Sequence, residues 1–336
     1  MKYLLAIICV CCCTFQTIAK PITVALNGKA DFRSIQQAIN SISDNHQGTI
    51  DIYIADGLYN EKLYIKKSRI RFIGQSRAKT IIQQSIARDI WRCSNPSDWG
   101  VATINVDSCA DLSFENLTVA NVYGWENTKT QSVPCANDST GVKQVQQNGH
   151  QMAFRSFYAT RLKFINCHFR AFGGDTMSPW NLVDGQFYYK DCIMEGGVDL
   201  YCPRGWSYAE NCVFIAHNGT AIIWHDGTGN KDAKTVLVGC KFEGYDGFRL
   251  GRFHRDAQFY LINCEFASNM ADTDIYQVPT NNLVQWGKRV YYSGSKVSGK
   301  QFAWSKDNLT LANPLLTPES ITPEWVFGTT WNPINK

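Results

Sequence analysis

The chain has 336 residues, 44% of them hydrophobic and 18% charged, which is long and apolar enough for a large core and too apolar for disorder. A formal net charge of +4 is too weak for a nucleic-acid footprint in a chain of this size, and it leaves room for a local basic cleft facing a polyanionic substrate.

The chain opens with MKYLLAIICVCCCTFQTIAK, in which Lys2, an apolar run through Phe15 and Thr17-Ile18-Ala19 form the pattern of a cleaved export signal over residues 1–19. Residues 20–336 then read as a single catalytic domain of an exported protein, and no other stretch approaches the length of a membrane span. Of thirteen cysteines four lie in the signal, and the nine that remain leave at least one thiol unpaired. None of the nine shows the C-x-x-C spacing of a zinc site.

Next comes DFRSIQQAINSI, with Asp31 as N-cap and apolar residues at 32, 35, 38, 39 and 42, the spacing of an amphipathic helix that would cover an open first coil. Strands are expected at TIDIYIADGLY (49–59) and RIRFIGQ (69–75). Five further segments share one pattern: LKFINCHF, QFYYKDCIM, WSYAENCVF, TVLVGCKF and FYLINCEF, with cysteines at 167, 192, 212, 240 and 264. A sixth copy, DLSFENLTV, places Asn116 where Asn166, Asn211 and Asn263 stand in the others. Repeats of this length, built of short strands, describe a parallel β-solenoid in which equivalent residues stack. The repeat cysteines would form an interior column and the asparagines a column at a turn. Cys93, Cys109 and Cys135, outside the repeat, are the disulfide candidates. Beyond Asn281 the repeat fades into a tail expected to wrap back along the coils.

On such a solenoid reactive groups gather by stacking. Gln151, Asp175 and Asp199 are successively 24 residues apart, and Arg252 lies 53 residues after Asp199, close to two coils. Parallel strands sit about 4.8 Å apart, so two stacked aspartates would push their pKa values apart, and an arginine beside one would decide which is ionised. A protonated acid beside an anionic nucleophile can break an ester or a glycosidic bond. Asp after Gly is usually a turn residue, and spacing alone leaves both readings open.

These residues resemble the pectin methylesterase family, carbohydrate esterases on a right-handed, single-stranded parallel β-helix, an all-β fold here with a short N-terminal capping helix. The likeness runs from about Asp31 to about Trp304: DFRSIQQAIN and IYIADGLYNEKLYI resemble the opening helix and first strands. GHQMAFRSFYATRLKFINCHFRAFGGDT, GQFYYKDCIMEGGVDL and RLGRF resemble the segments that hold the family's catalytic groups. The resemblance implies Asp199 as nucleophile forming an acyl-enzyme, Asp175 as acid/base, Arg252 orienting Asp199, and Gln151 as an oxyanion donor. It implies a pectic polysaccharide as substrate, no metal or cofactor, no nucleic-acid partner, and a monomer.

Departures stand beside it. The family has Gln before its acid/base Asp, where this chain has Gly174, and after the nucleophile it continues with aromatic residues and glycine, where this chain reads Leu200-Tyr201-Cys202-Pro203-Arg204. Phe253-His254 replaces the family's Pro-Trp after the arginine. Tyr201 and Trp224 are therefore the expected sugar-stacking side chains, Arg204 and His254 the expected partners of galacturonate carboxylates, and His225 is read as a loop residue. The alternatives are a pectin lyase or polygalacturonase-type enzyme on the same fold, and a carbohydrate-binding protein without chemistry, which Gly174 favours.

Overall fold

The computed structural model describes residues 20–334, so the proposed signal at 1–19 lies outside the described residues. The repeats coil into a right-handed parallel β-helix with three sheets. One sheet has ten strands from Ile22–Val24 to Arg289–Ser293, a second has nine from Gly57–Tyr59 to Lys296–Val297, and the third is split into a group of four and a group of three. Pairing between successive coils is parallel and in register, as in Leu162–Phe187 and Phe164–Tyr189.

The residue before each repeat cysteine explains the repeat. Asn116, Asn166, Asp191, Asn211 and Asn263 have φ between 50° and 55°, and Gly239 has φ 62°. Each coil turns there through the left-handed region, which Asn, Asp and Gly enter at least cost. The Asn166 side chain also donates to the Asn116 side-chain carbonyl at 2.8 Å. The next residue then points inward, and Cys167, Cys192, Cys212, Cys240 and Cys264 are fully buried. The thiols of Cys167, Cys192, Cys240 and Cys264 face backbone carbonyls of the preceding coil, as Cys167 does with Phe114 at 3.2 Å. Beside them Phe72, Phe114, Phe164 and Tyr189 stack at centroid separations of 4.8, 5.4 and 4.9 Å.

Three expectations are corrected. The helix is Ile35–Ser41 and its cap is Ser34, whose hydroxyl accepts from the Gln37 amide. Asp31 instead accepts from the amide and hydroxyl of Thr23, tying the chain before the helix to the first strand. The 49–59 stretch breaks at Ala55-Asp56 into two strands of different sheets, Ile50–Ile54 and Gly57–Tyr59. The coil continues past Asn281 for one more turn, since Arg289–Ser293 pairs with Gln258–Ile262. Only then does the tail fold back, and Ile321, Val326 and Phe327 pack on Tyr188, Tyr208 and Tyr260.

Residues 122–150 depart from the coil as a short helix, Tyr123–Glu126, and an antiparallel hairpin, Gln131–Pro134 with Val142–Val145. A disulfide between Cys93 and Cys135 ties that hairpin to the helix Arg88–Ser94, while Cys109 remains a buried thiol.

The aromatic column is the clearest stability test. Phe164 touches Phe114, Tyr189, Phe154 and Phe169, so Phe164→Ala is expected to cost about 3–5 kcal/mol in denaturant unfolding. Tyr53→Ala, at a site 45% exposed, should stay within about 0.5 kcal/mol of the parent.

Candidate active site

The third sheet carries the site, and its break marks the centre. Its strand Met177–Trp180 is joined to Ala221–His225 only through isolated bridges at Tyr201 and Arg204. Pro203 has no N–H to give a ladder, and Asp199 enters the coil with φ 55°. The Asp199 amide donates to the Ala221 carbonyl at 2.7 Å, that of Asp175 to Val198 at 3.1 Å, and that of Gln151 to Gly174 at 2.9 Å. Gln151, Asp175 and Asp199 thus occupy equivalent places on three successive coils.

Arg252 reaches Asp199 from strand Arg249–Phe253, two coils on. Its Nε donates to Asp199 Oδ1 at 2.9 Å and its Nη2 to Oδ2 at 2.6 Å, a bidentate, charge-assisted pair that fixes the plane of the carboxylate. Asp199 is 4% exposed. Burial pushes its pKa up, Arg252 pulls it down, the Asp175 carboxylate pushes it up and His150 pulls it down, and the balance stands above the usual carboxylate value. Asp175 is also buried. The Cys202 thiol lies 3.5 Å from its Oδ1.

Several expected contacts are not made. Gln151 is fully buried, its Oε1 accepting from the amides of Gly124 and Gly173 at 3.1 and 3.3 Å and its Nε2 donating to the Gln147 carbonyl. The side chain therefore ties the 122–150 excursion to the turn before Asp175 and does not open into the cleft. Tyr201 is also fully buried, with its hydroxyl on Ser207 and its ring edge-on to Tyr189; it belongs to the core.

Arg204 is 4% exposed and is held by Asp226, by Ser178 Oγ at 2.9 Å and by the Cys202 carbonyl at 3.3 Å, so its guanidinium meets no solvent-borne carboxylate. Trp224 is buried, with the Arg252 guanidinium over its ring at 4.9 Å and His254 edge-on at 4.0 Å. Of these four side chains only His254, half-buried, reaches the surface. His225 is buried at the end of its strand; its Nδ1 accepts from the Gly227 amide at 2.9 Å, and burial pushes its pKa down to about 4.

Gly174 has a steric reason. A Cβ there would lie 2.5 Å from the Val198 carbonyl oxygen, 2.8 Å from Val198 Cγ1 and 3.0 Å from His150 Cδ2. The exposed His150 imidazole therefore stands against the place where the family's glutamine would project. Sequence reading missed His150, Cys202 and Trp180. Their common signal, strand register with the aspartates, becomes legible only once the coil lengths are known.

Residues 21–172 match the Pectinesterase family model. Probable pectinesterase 67 of Arabidopsis thaliana is 22% identical over 334 residues, covering 94% of this chain and 86% of that protein. Over residues 21–172 the chain is similar to the pectinesterase family. Pectinesterase 4 of the same plant is 27% identical over 199 residues, and there the match spans only 29% of the relative. Among solved structures, pectin methylesterase PemA from Erwinia chrysanthemi superposes with a TM-score of 0.69 at 20% identity, covering 93% of this chain and 98% of that one. The carrot pectin methylesterase gives 0.62 at 17% identity, covering 83% and 88%. Both show the same fold. The pectinesterase match ends at Phe172, three residues before Asp175, where the departures begin.

The raised Asp199 pKa gives a signed prediction. A carboxyl that holds its proton more tightly folded than unfolded makes ionisation cost stability; the cost is absent below the usual carboxylate range and appears as pH rises through the Asp199 titration. Asp199→Asn should therefore unfold at a higher temperature than the parent at pH 7, with the gap closing in acid. Thermal scans across pH check this, and a variant less stable than the parent at pH 7 contradicts it.

Proposed function

We propose that the protein is a pectin methylesterase-type hydrolase that removes methyl groups from esterified galacturonate in a pectic polysaccharide. The observation that carries this is the buried Asp199 carboxylate gripped at both oxygens by Arg252, with Asp175 on the adjoining coil. One Asp199 oxygen attacks the ester carbonyl carbon, the carbon–methoxy bond breaks, and methanol leaves with a proton from Asp175. The resulting mixed anhydride is opened by water, which returns a proton to the Asp175 carboxylate and frees Asp199. Arg252 keeps the attacking oxygens anionic and aimed. The His150 imidazole, against Gly174, supplies a hydrogen bond to the carbonyl oxygen as it gains charge. Gln151 acts through the turn it holds. The Cys93–Cys135 disulfide supports an oxidising, exported setting.

Highly methylated pectin incubated with the protein should release methanol without unsaturated or new reducing ends; the reverse pattern overturns the esterase reading in favour of a lyase or hydrolase. Asp199→Ala should lower the rate on the order of 10⁴-fold and His150→Ala about 100-fold. Gly174→Gln should not raise activity, because its Cβ meets the Val198 carbonyl, and should cost about 1–3 kcal/mol in stability.

A further inference from the structure

Among the described residues seven cysteines carry free thiols. Five of them stand in the repeat column, and the Cys109 thiol faces the Ile65 carbonyl. Cys202 is the exception. It lies outside the column, three residues after Asp199, in the stretch where this chain leaves the family pattern. Its Sγ is 3.5 Å from Asp175 Oδ1 and 2.6 Å from the Asp199 carbonyl oxygen, so one buried sulfur spans the two turns that carry the carboxylates. The residue is held on both sides: its amide donates to the Met177 carbonyl at 2.9 Å, its own carbonyl accepts from Arg204 Nη1 at 3.3 Å, and Pro203 stiffens the chain behind it. Burial and the Asp175 charge push the thiol well above its ordinary pKa, so the sulfur keeps its proton and is free to donate a hydrogen bond.

Asp175 has little else to support it. Among the described residues Cys202 is the one side chain hydrogen-bonded to its carboxylate. The charges of Arg155 and Arg204 are felt there, but both guanidinium groups donate to Ser178, and Arg204 also to Asp226. With Oδ1 turned to the thiol, Oδ2 is the oxygen left to carry the proton that is transferred. While Asp175 is protonated at Oδ2, Oδ1 is a neutral acceptor, and the thiol is served as well by the Asp199 carbonyl. As the Oδ2–H bond breaks toward the departing methoxide, its electron pair stays on the carboxylate, and an ionised oxygen is the stronger acceptor. The S–H···Oδ1 bond therefore strengthens while the leaving group gains its proton, which makes it worth more in the transition state than before it.

We propose that Cys202 is a positioning residue for ester cleavage: its thiol anchors Asp175 Oδ1, directs the transferred proton to Oδ2 and stabilises the anion left when methanol departs. This rests on the esterase reading, and leaving-group chemistry separates the two. The test measures kcat/KM on oligogalacturonate esterified with methanol and on the same uronate esterified with 4-nitrophenol, because methoxide needs a proton to leave and nitrophenolate does not. Cys202→Ala removes the donor and leaves a void; Cys202→Val removes it and fills the space. Both should lose about tenfold on the methyl ester and stay within about twofold of the parent on the nitrophenyl ester. Cys240→Ala, which takes an equally buried thiol out of the column, should match the parent on both. Equal losses on the two esters mean a merely structural role and overturn the proposal, as does a parental rate on the methyl ester in either Cys202 variant. A parent inactive on both esters overturns the esterase reading, and this proposal with it.

Discussion

Everything in this molecule depends on parallel coils stacking in register. Each backbone pairs with the next at about 4.8 Å, so residues roughly one coil apart in sequence become neighbours in a column. The register is held by the turn before each inward cysteine, where Asn, Asp or Gly adopts a left-handed backbone. Without that turn the strands would slip, and a one-residue slip would send every aromatic of the core to the opposite face. The same constraint builds the carboxylate pair, since Asp175 and Asp199, also left-handed, stand on adjoining coils for the reason the cysteines do.

Stacking two carboxylates in a dry column is unfavourable unless a cation intervenes, and here it comes from a distance. Arg252 belongs to a strand two coils beyond Asp199 and reaches it across the gap that Pro203 and the irregular Leu200–Gly205 segment leave in the third sheet. Burial and ion pairing thus oppose each other on one carboxylate. The same irregular segment turns Arg204 beneath Trp180, so one break in a ladder shapes both the carboxylate pair and the wall beside it.

The fold was legible because its signals are local and repeated: the cysteine, the preceding turn residue and the alternation around them. The column of Gln151, Asp175 and Asp199 was legible for the same reason, since their 24-residue steps match the coil. Side-chain direction was not. Tyr201 and Arg204 follow a left-handed residue and flank a proline, so alternation could not be phased through them, and the structure puts the Tyr201 ring in the core and covers the Arg204 guanidinium with Asp226 and Trp180. Trp224 points outward as expected but is roofed by Arg252 and His254, a contact between coils that no single strand reveals. Asp31 failed as a helix cap because Thr23, eight residues earlier, offers it two donors. The missing glutamine at 174 was visible in the sequence; its cause, the Val198 carbonyl, belongs to the next coil.

The central claim is that Asp199 is a buried carboxylate whose ionisation depends on Arg252. Carbon-13 NMR titration of the Asp199 carboxyl, in the parent and in Arg252→Gln, tests it most directly. The account predicts a midpoint above the usual aspartate value in the parent and a further upward move in the variant, as the lowering influence of the guanidinium is lost. A midpoint at or below the usual value, or one that Arg252→Gln leaves in place, would contradict it.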